Sequence, residues 1–180
     1  MGTWTTYKEK WKDCTSCELC DTRNRIVLAK GKLPCDILFV GEAPGASENV
    51  LGKPFIGPAG HLLEEIVEAS IPNNLRCAYT NLIGCIPLDE NLQKVRQPHK
   101  EHIKACEPRL QEFVELANPK AFVCVGRLSE KHLPKIVDIG ERPTVSITHP
   151  AAILRADPSQ KGLAIQLSCI RLIELCEELV

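Results

Sequence analysis

Long apolar runs, an apolar leader and a surplus of basic charge are all missing from this sequence. No stretch of its 180 residues is long and apolar enough to cross a bilayer, which disfavours a membrane-spanning protein. The first residues lack the apolar core of a secretory signal peptide, so we expect a cytoplasmic location. The formal net charge is −1, so any contact with DNA would have to use local patches or backbone amides.

Four short apolar runs recur along the chain, at 36–40, 77–83, 121–126 and 144–148. They are almost continuously apolar, as strands covered on both faces are. Helical patterns alternate with these runs, which predicts a four-stranded parallel sheet inside a three-layer α/β/α fold. We expect a single domain over residues 1–180, in which residues 1–35 form a helical or loop segment.

The helical patterns cover residues 61–69, 99–116, 127–133 and 163–179, where apolar residues recur with the period of a helix. Pro108 falls inside the second pattern, so that helix is expected to kink or divide. Four histidines are expected on helix surfaces and receive no functional role: His61, His99, His102 and His132.

Polar residues and glycines follow each of the predicted strands. The segment GEAPG begins at Gly41 after the first run, Asn81 lies near the end of the second, Gly126 ends the third, and His149 follows the fourth. Because ligands bind at the carboxyl ends of strands in such sheets, the four loops predict one site at this edge.

Ten cysteines are many for a chain of this length. A reducing compartment disfavours structural disulfides, which makes metal binding the leading explanation for some of them. Cys14, Cys17 and Cys20 are each separated by two residues, and Cys85 and Cys106 lie close to prolines. The alternative is that these are free thiols. Four thiolates suit zinc and a [4Fe–4S] cluster equally, and spacing alone does not decide between them.

Residues 41–60 form a segment rich in glycine and proline after the first strand. Glycine is costly to order, and a long loop inside a compact domain is usually functional or disordered. The position after a strand, the glutamates and the lone aromatic Phe55 favour function.

Six motifs stand in order along nearly the whole chain: CTSC, GEAPGASEN, GKPFIGPAGHLL, TNLIGC, ACEPRL and HPAAILR. Together they resemble the family 4 uracil-DNA glycosylases, the iron–sulfur type first associated with thermophiles. The resemblance implies a four-stranded parallel sheet, a [4Fe–4S] cluster, and excision of uracil from single- and double-stranded DNA in base excision repair. We expect a monomer, and a sliding clamp is a further candidate partner.

The same resemblance implies the cluster ligands, which would be Cys14, Cys17, Cys85 and Cys106. Cys20 occupies a place where the family often has a cysteine that is not a ligand.

For the base, the resemblance implies a pocket that receives uracil once it is turned out of the stack. Gly41 and Gly45 would let backbone amides approach the base, and Phe55 would stack on the ring. Asn81 would offer one donor and one acceptor to the edge of uracil. Ala43 stands in this pocket where other glycosylase families keep a catalytic aspartate.

For the chemistry, the resemblance implies that neutral His149 donates to uracil O2 as negative charge develops there. Glu42 and Glu48 would position water or stabilise the cationic sugar. Pro150, Ala151 and Arg155 would contact DNA.

Three neutral residues depart from the family pattern, at Ser47, Asn49 and Gly84, where acidic residues or a lysine are usual. We expect these changes to remove charge along the DNA face. They motivate an alternative, a DNA-binding or replication-associated module that kept the fold and the cluster but lost catalysis. A small iron–sulfur electron carrier is a third hypothesis, although it would not need the GEAPG and HPAAILR motifs.

Overall fold

A computed structural model describes residues 2–179 and places a five-stranded sheet at the centre of the fold. The strands are β1 (Ala29–Gly31), β2 (Ile37–Gly41), β3 (Cys77–Asn81), β4 (Ala121–Val125) and β5 (Thr144–Ile147). Their order in the sheet is β1-β3-β2-β4-β5. Strands β2 to β5 are parallel, whereas β1 pairs antiparallel with β3.

The predicted α/β architecture is confirmed, but the predicted count of four strands is wrong by one. The additional strand, β1, is three residues long and reads Ala-Lys-Gly. So short and polar a segment carries no apolar run that a sequence pattern could detect. It becomes a strand because the free edge of β3 offers it hydrogen-bond partners.

Seven helices accompany the sheet within residues 2–179: α1 (Trp4–Trp11), α2 (Ala46–Leu51), α3 (Pro58–Ser70), α4 (Lys100–Ala117), α5 (Arg127–Ile136), α6 (Pro150–Arg155) and α7 (Pro158–Glu178). A short 3-10 helix covers Glu18–Asp21. No helix in the described part of the chain is long and apolar enough to cross a membrane.

Helix α4 does not divide at Pro108, one of the two predicted outcomes, but runs continuously through that residue. Proline removes one helical hydrogen bond, which leaves the carbonyl four residues earlier without its usual partner. Pro108 and Lys104 are both exposed, so this carbonyl lies on the face of α4 where water can reach it.

The core lies on both faces of the sheet, as three layers require. On one face, Leu38 and Val40 of β2 pack with α4, whose apolar face carries Leu110 and Phe113. On the other face, Phe39 of the same strand packs with side chains of α3 and α7. Because successive strand residues point to opposite faces, one apolar strand supplies both cores.

The N-terminal segment is anchored to α4, and a buried histidine takes part. His102 was expected on a helix surface, but it is 1% exposed. Its Nε2 lies 2.6 Å from Glu18 Oε1, and its Nδ1 accepts a hydrogen bond from the backbone N–H of His99 at 3.1 Å. The sequence position suggested an exposed site, but the 3-10 helix covers this face of α4.

Three helices begin close to the carboxyl ends of strands. Helix α2 follows β2, α5 follows β4 directly, and α6 follows β5. The N-terminus of a helix carries partial positive charge and unpaired N–H groups. This edge of the sheet therefore combines the predicted loops with several donors.

Candidate active site

A cleft of about 950 Å³ lies at the carboxyl ends of the parallel strands. This volume is at the upper end of the range for ligand sites, which leaves room for a flat ring and for the backbone that carries it. Most residues predicted to bind or cleave the substrate line the cleft: Glu42, Ala43, Gly45, Glu48, Phe55, Asn81, His149, Ala151 and Arg155. Gly41 and Pro150 are buried beside these lining residues.

Gly41, Asn81 and Phe55 meet at the bottom of the cleft. Gly41 and Asn81 are register partners at the ends of β2 and β3. A methyl group at Gly41 would lie 2.3 Å from Asn81 Oδ1 and 2.6 Å from Phe55 Cζ. No side chain larger than hydrogen fits there, so the amide and the ring sit directly against bare backbone. We refer to these three residues as the base cluster.

The position of Phe55 is determined by three contacts outside the predicted site. Its backbone has φ +52°, which is unusual for a residue with a side chain. Lys30 Nζ donates to the Phe55 carbonyl at 2.8 Å, and Gly60 lies so close that a methyl group there would be 2.1 Å from the Phe55 carbonyl carbon. The Phe55 ring meets Tyr79 edge to face, with centroids 6.0 Å apart.

His149 is the N-cap of α6, and its ring has a defined tautomer. The Nδ1 atom accepts a hydrogen bond from the backbone N–H of Ala151 at 3.2 Å. A nitrogen that accepts carries no proton, so the neutral ring holds its proton on Nε2. Burial, followed by the nearby Arg155, lowers the pKa of His149, while Glu48 opposes the shift. At neutral pH the side chain is therefore an uncharged donor.

Glu42 and His149 face each other across Gly126. A methyl group at Gly126 would lie 2.6 Å from Glu42 Oε1 and 3.1 Å from His149 Cβ, and φ is +96° there, so only glycine suits the position. Burial raises the pKa of Glu42, while the backbone N–H of Leu128, at the start of α5, and Arg155 act in the opposite direction.

Glu48 connects the two ends of the glycine-rich loop. Its Oε1 accepts a hydrogen bond from the backbone N–H of Gly57 at 3.3 Å. Its Oε2 faces Gly45, where a methyl group would lie 2.8 Å away. This carboxylate both lines the cleft and holds the loop in its folded shape.

Two of the three departures from the family pattern do not lie on an exposed face, contrary to expectation. Asn49 is 7% exposed, and its Oδ1 accepts from the backbone N–H of Asn24 at 2.9 Å. Gly84 is buried, and a methyl group there would lie 3.1 Å from Ile26. Only Ser47 is exposed at the cleft. Asn49 and Gly84 therefore serve contacts with the N-terminal segment.

Four arginines line the same cleft, namely Arg96, Arg127, Arg155 and Arg171. Sequence reasoning singled out only one of them. The others come from three separate segments, so no local run of basic residues marked them. A chain with net charge −1 nevertheless presents several guanidinium groups around one opening.

Residues 29–168 match a family model described as the uracil DNA glycosylase superfamily. The chain belongs to this superfamily. Three similar proteins are named type-4 uracil-DNA glycosylases, which confirms the family inferred from the six motifs. The Pyrobaculum aerophilum protein is 32% identical over 84% of this chain and 84% of its own length. The Archaeoglobus fulgidus protein is 32% identical over 78% of each chain. The Thermotoga maritima protein is 36% identical over 66% of this chain and 59% of its own length.

In this superfamily member, the four cysteines predicted as cluster ligands lie near one another, beside the N-terminal segment. Cys85 and Cys106 are buried, while Cys14 and Cys17 are half-buried. Cys17 lies within electrostatic range of Cys14 and Cys106, and Cys85 within range of Cys17 and Cys106. The thiol of Cys20 instead approaches Asp21 Oδ1 at 3.4 Å.

Within residues 2–179, no three His, Cys, Asp or Glu side chains converge closely enough to hold one metal ion. Four thiolates are a ligand set of both zinc and [4Fe–4S] sites.

One arginine contacts a candidate ligand and was missed from the sequence as part of this centre. Arg23 Nη1 donates to Cys85 Sγ at 3.3 Å. Burial raises the pKa of Cys85 to about 11, and the contact with Arg23 opposes that rise. A second arginine, Arg109, lies three residues after Cys106 on α4, which places both on one face of that helix.

Proposed function

We propose that this chain hydrolyses the N-glycosidic bond between uracil and deoxyribose in DNA, leaving an abasic site as the first step of base excision repair. The observation that carries the proposal is the convergence of two groups in one cleft. One is the base cluster, and the other is His149 with its proton on Nε2.

Recognition of uracil rests on Asn81, which is 4% exposed at the end of β3. Its amide NH₂ would donate to uracil O4, while its carbonyl oxygen would accept from N3–H. Cytosine has an amino donor at C4 and no proton on N3, so both contacts would be mismatched. Phe55 would stack against the ring, because its side chain borders the cleft next to this amide.

Cleavage of the C1′–N1 bond leaves the electron pair on uracil and positive charge on the sugar. His149 Nε2–H would donate to uracil O2 and stabilise the negative charge that spreads to it. A neutral imidazole is suited to this role because it needs no loss of a proton before the bond breaks. One preorganised donor of this kind typically contributes about 10²–10³ in rate.

Water completes the reaction by adding to C1′, and its released proton balances the charge of the uracil anion. Glu42 is the better-placed carboxylate for orienting this water, because it faces His149 across Gly126. Glu48 would supply negative charge near the sugar while it holds the loop. Ala43 offers no general base, so we expect catalysis to rest mainly on electrostatic stabilisation.

DNA would be held around the cleft by Arg155, by Pro150 and Ala151 at the start of α6, and by further arginines of the rim. Arg127 begins α5 and Arg171 belongs to α7, so the phosphate contacts would come from separate elements. Such contacts position the duplex without reading its sequence. We expect a monomer to suffice, and binding of a sliding clamp stays a prediction.

We further propose that Cys14, Cys17, Cys85 and Cys106 hold a [4Fe–4S] cluster. When bound, this group would supply a structural crosslink between the N-terminal segment, the chain after β3, and α4. Arg23 donates to Cys85 and opposes the rise in the pKa of that thiol that burial causes.

The decisive experiment is a single-turnover assay with oligonucleotides that carry one uracil, read as abasic sites by alkaline cleavage. We expect abasic product from the parent chain and a rate about 10²–10³ lower for His149→Ala, with little change in DNA affinity. Parental cleavage by His149→Ala would remove His149 from the mechanism. A parent that binds uracil-containing DNA without cleaving it would support the non-catalytic alternative.

A further inference from the structure

Arg109 is the largest fully buried side chain among the described residues, at 1% exposed. It lies on α4, three residues after Cys106, and none of the proposed chemical steps uses it. A buried guanidinium is costly unless charge and hydrogen bonds compensate for the lost water. The neighbours that compensate for this cost indicate what the residue does.

The hydrogen bonds of Arg109 are directed to the end of β3. Nη2 donates to the backbone carbonyl of Asn81 at 2.6 Å and to that of Leu82 at 3.2 Å. Nη1 donates to Thr80 Oγ1 at 3.2 Å. One planar fork therefore binds three consecutive residues, including the residue whose side chain faces the base pocket.

The charge of Arg109 has no carboxylate partner among the ion pairs of residues 2–179. Its other polar neighbours are the Tyr7 hydroxyl at 3.4 Å and the Leu28 carbonyl at 3.5 Å, both uncharged. All five acceptors of the guanidinium are therefore neutral oxygens, and three of them belong to residues 80–82. Its Nε has no hydrogen-bond partner within residues 2–179.

We propose that Arg109 is a positioning residue for the base-reading end of β3. It holds the backbone of Asn81 and Leu82 so that the Asn81 amide faces uracil. The inference rests on the proposed function for its catalytic consequence only. The hold on the backbone is a property of the folded chain, and it can be measured without DNA.

The test is Arg109→Lys in the full-length, iron-loaded protein, because lysine keeps the charge but loses the planar fork. We expect parental iron content, amide hydrogen exchange at residues 78–83 that is faster by about tenfold or more, and parental exchange at 121–125. Uracil excision at saturating enzyme should slow by about tenfold or more, while affinity for abasic DNA stays within about twofold.

Arg142→Lys is the matched control, because the Arg142 guanidinium also donates to backbone carbonyls, those of Asp138 and Ile139, while none of its hydrogen bonds within residues 2–179 reaches β3 and it does not line the cleft. It should leave exchange at 78–83 and excision unchanged. If Arg109→Lys fails to fold or to hold iron, Thr80→Val decides, since it removes one acceptor of Arg109 without touching its charge. Thr80→Val should also speed exchange at 78–83 and slow excision.

Parental exchange at 78–83 in the folded variants would overturn the proposal, and so would faster exchange combined with parental excision. If the parent excises no uracil at all, the proposed function fails. Exchange at 78–83 then decides by itself whether Arg109 holds this segment.

Discussion

Gly41→Ala is the smallest change that should disable the base cluster. The added methyl group would lie 2.3 Å from Asn81 Oδ1 and 2.6 Å from Phe55 Cζ. Ordinary contact begins at 3.4 Å, so the amide oxygen must retreat by about 1 Å and the ring by almost as much. Asn81 and Phe55 are both more than nine-tenths buried, so a retreat of either would have to enter the cleft that they line, where the base would bind.

The expected magnitude follows from that displacement. A misplacement of about 1 Å in a catalytic site can cost about 10²-fold in rate, and this change displaces both the reading amide and the stacking ring. We therefore expect excision to slow by about 10² or more. Overpacking of a core typically costs about 1–3 kcal/mol, so the Tm should also fall, by several degrees for a chain of this length.

The assay is single-turnover excision at a temperature where the variant is fully folded, with affinity for abasic DNA measured in parallel. Gly162→Ala is the matched control, because an alanine there meets nothing within 4 Å on an exposed turn of α7. This control should excise at the parental rate and gain up to about 1 kcal/mol of stability. Excision by Gly41→Ala within about twofold of the parent would refute the reasoning on the base cluster.

Three further predictions concern the reading amide, the cluster and pH. Asn81→Asp should weaken uracil excision by about tenfold to hundredfold, because its carboxylate repels O4 and leaves a buried mismatch. Excision assays on uracil and cytosine oligonucleotides test this. Parental excision of uracil would exclude Asn81 as the residue that reads the base. Cys106→Ala should lose iron and stability while Cys20→Ala keeps both, as iron analysis and thermal unfolding will show; iron loss from Cys20→Ala would contradict the ligand set. Burial and the neighbouring Arg155 lower the pKa of His149 below its ordinary value of 6.5, so the unfolded state binds more protons as the pH falls past that value. The free energy of unfolding should therefore fall between pH 7 and the folded-state pKa by more in the parent than in His149→Asn, and identical pH profiles would contradict the lowered pKa of His149.

The elements that sequence reasoning predicted correctly share one property, which is a recognisable pattern, either a continuous apolar run or a helical period. Strands β2 and β4 are apolar at every position because both faces of the sheet are covered, and the amino-acid sequence alone shows that pattern. Strand β1 has no such pattern, since its pairing partner and not its composition makes it a strand. The continuity of α4 through Pro108 likewise depends on exposure, which the sequence does not display.

The sequence by itself determined the family, the alternation of strands and helices, and the side chains that meet at the carboxyl edge of the sheet. Those features are carried by motifs and by periodicity, which are local along the chain. Only the tertiary structure decided the tautomer of His149, the direct contact of Gly41 with Asn81 and Phe55, and the burial of Arg109 against the end of β3. Each of these depends on atoms that lie far apart in the chain, or on which side of a residue is left open to water. Distances of that kind arise only when the layers pack.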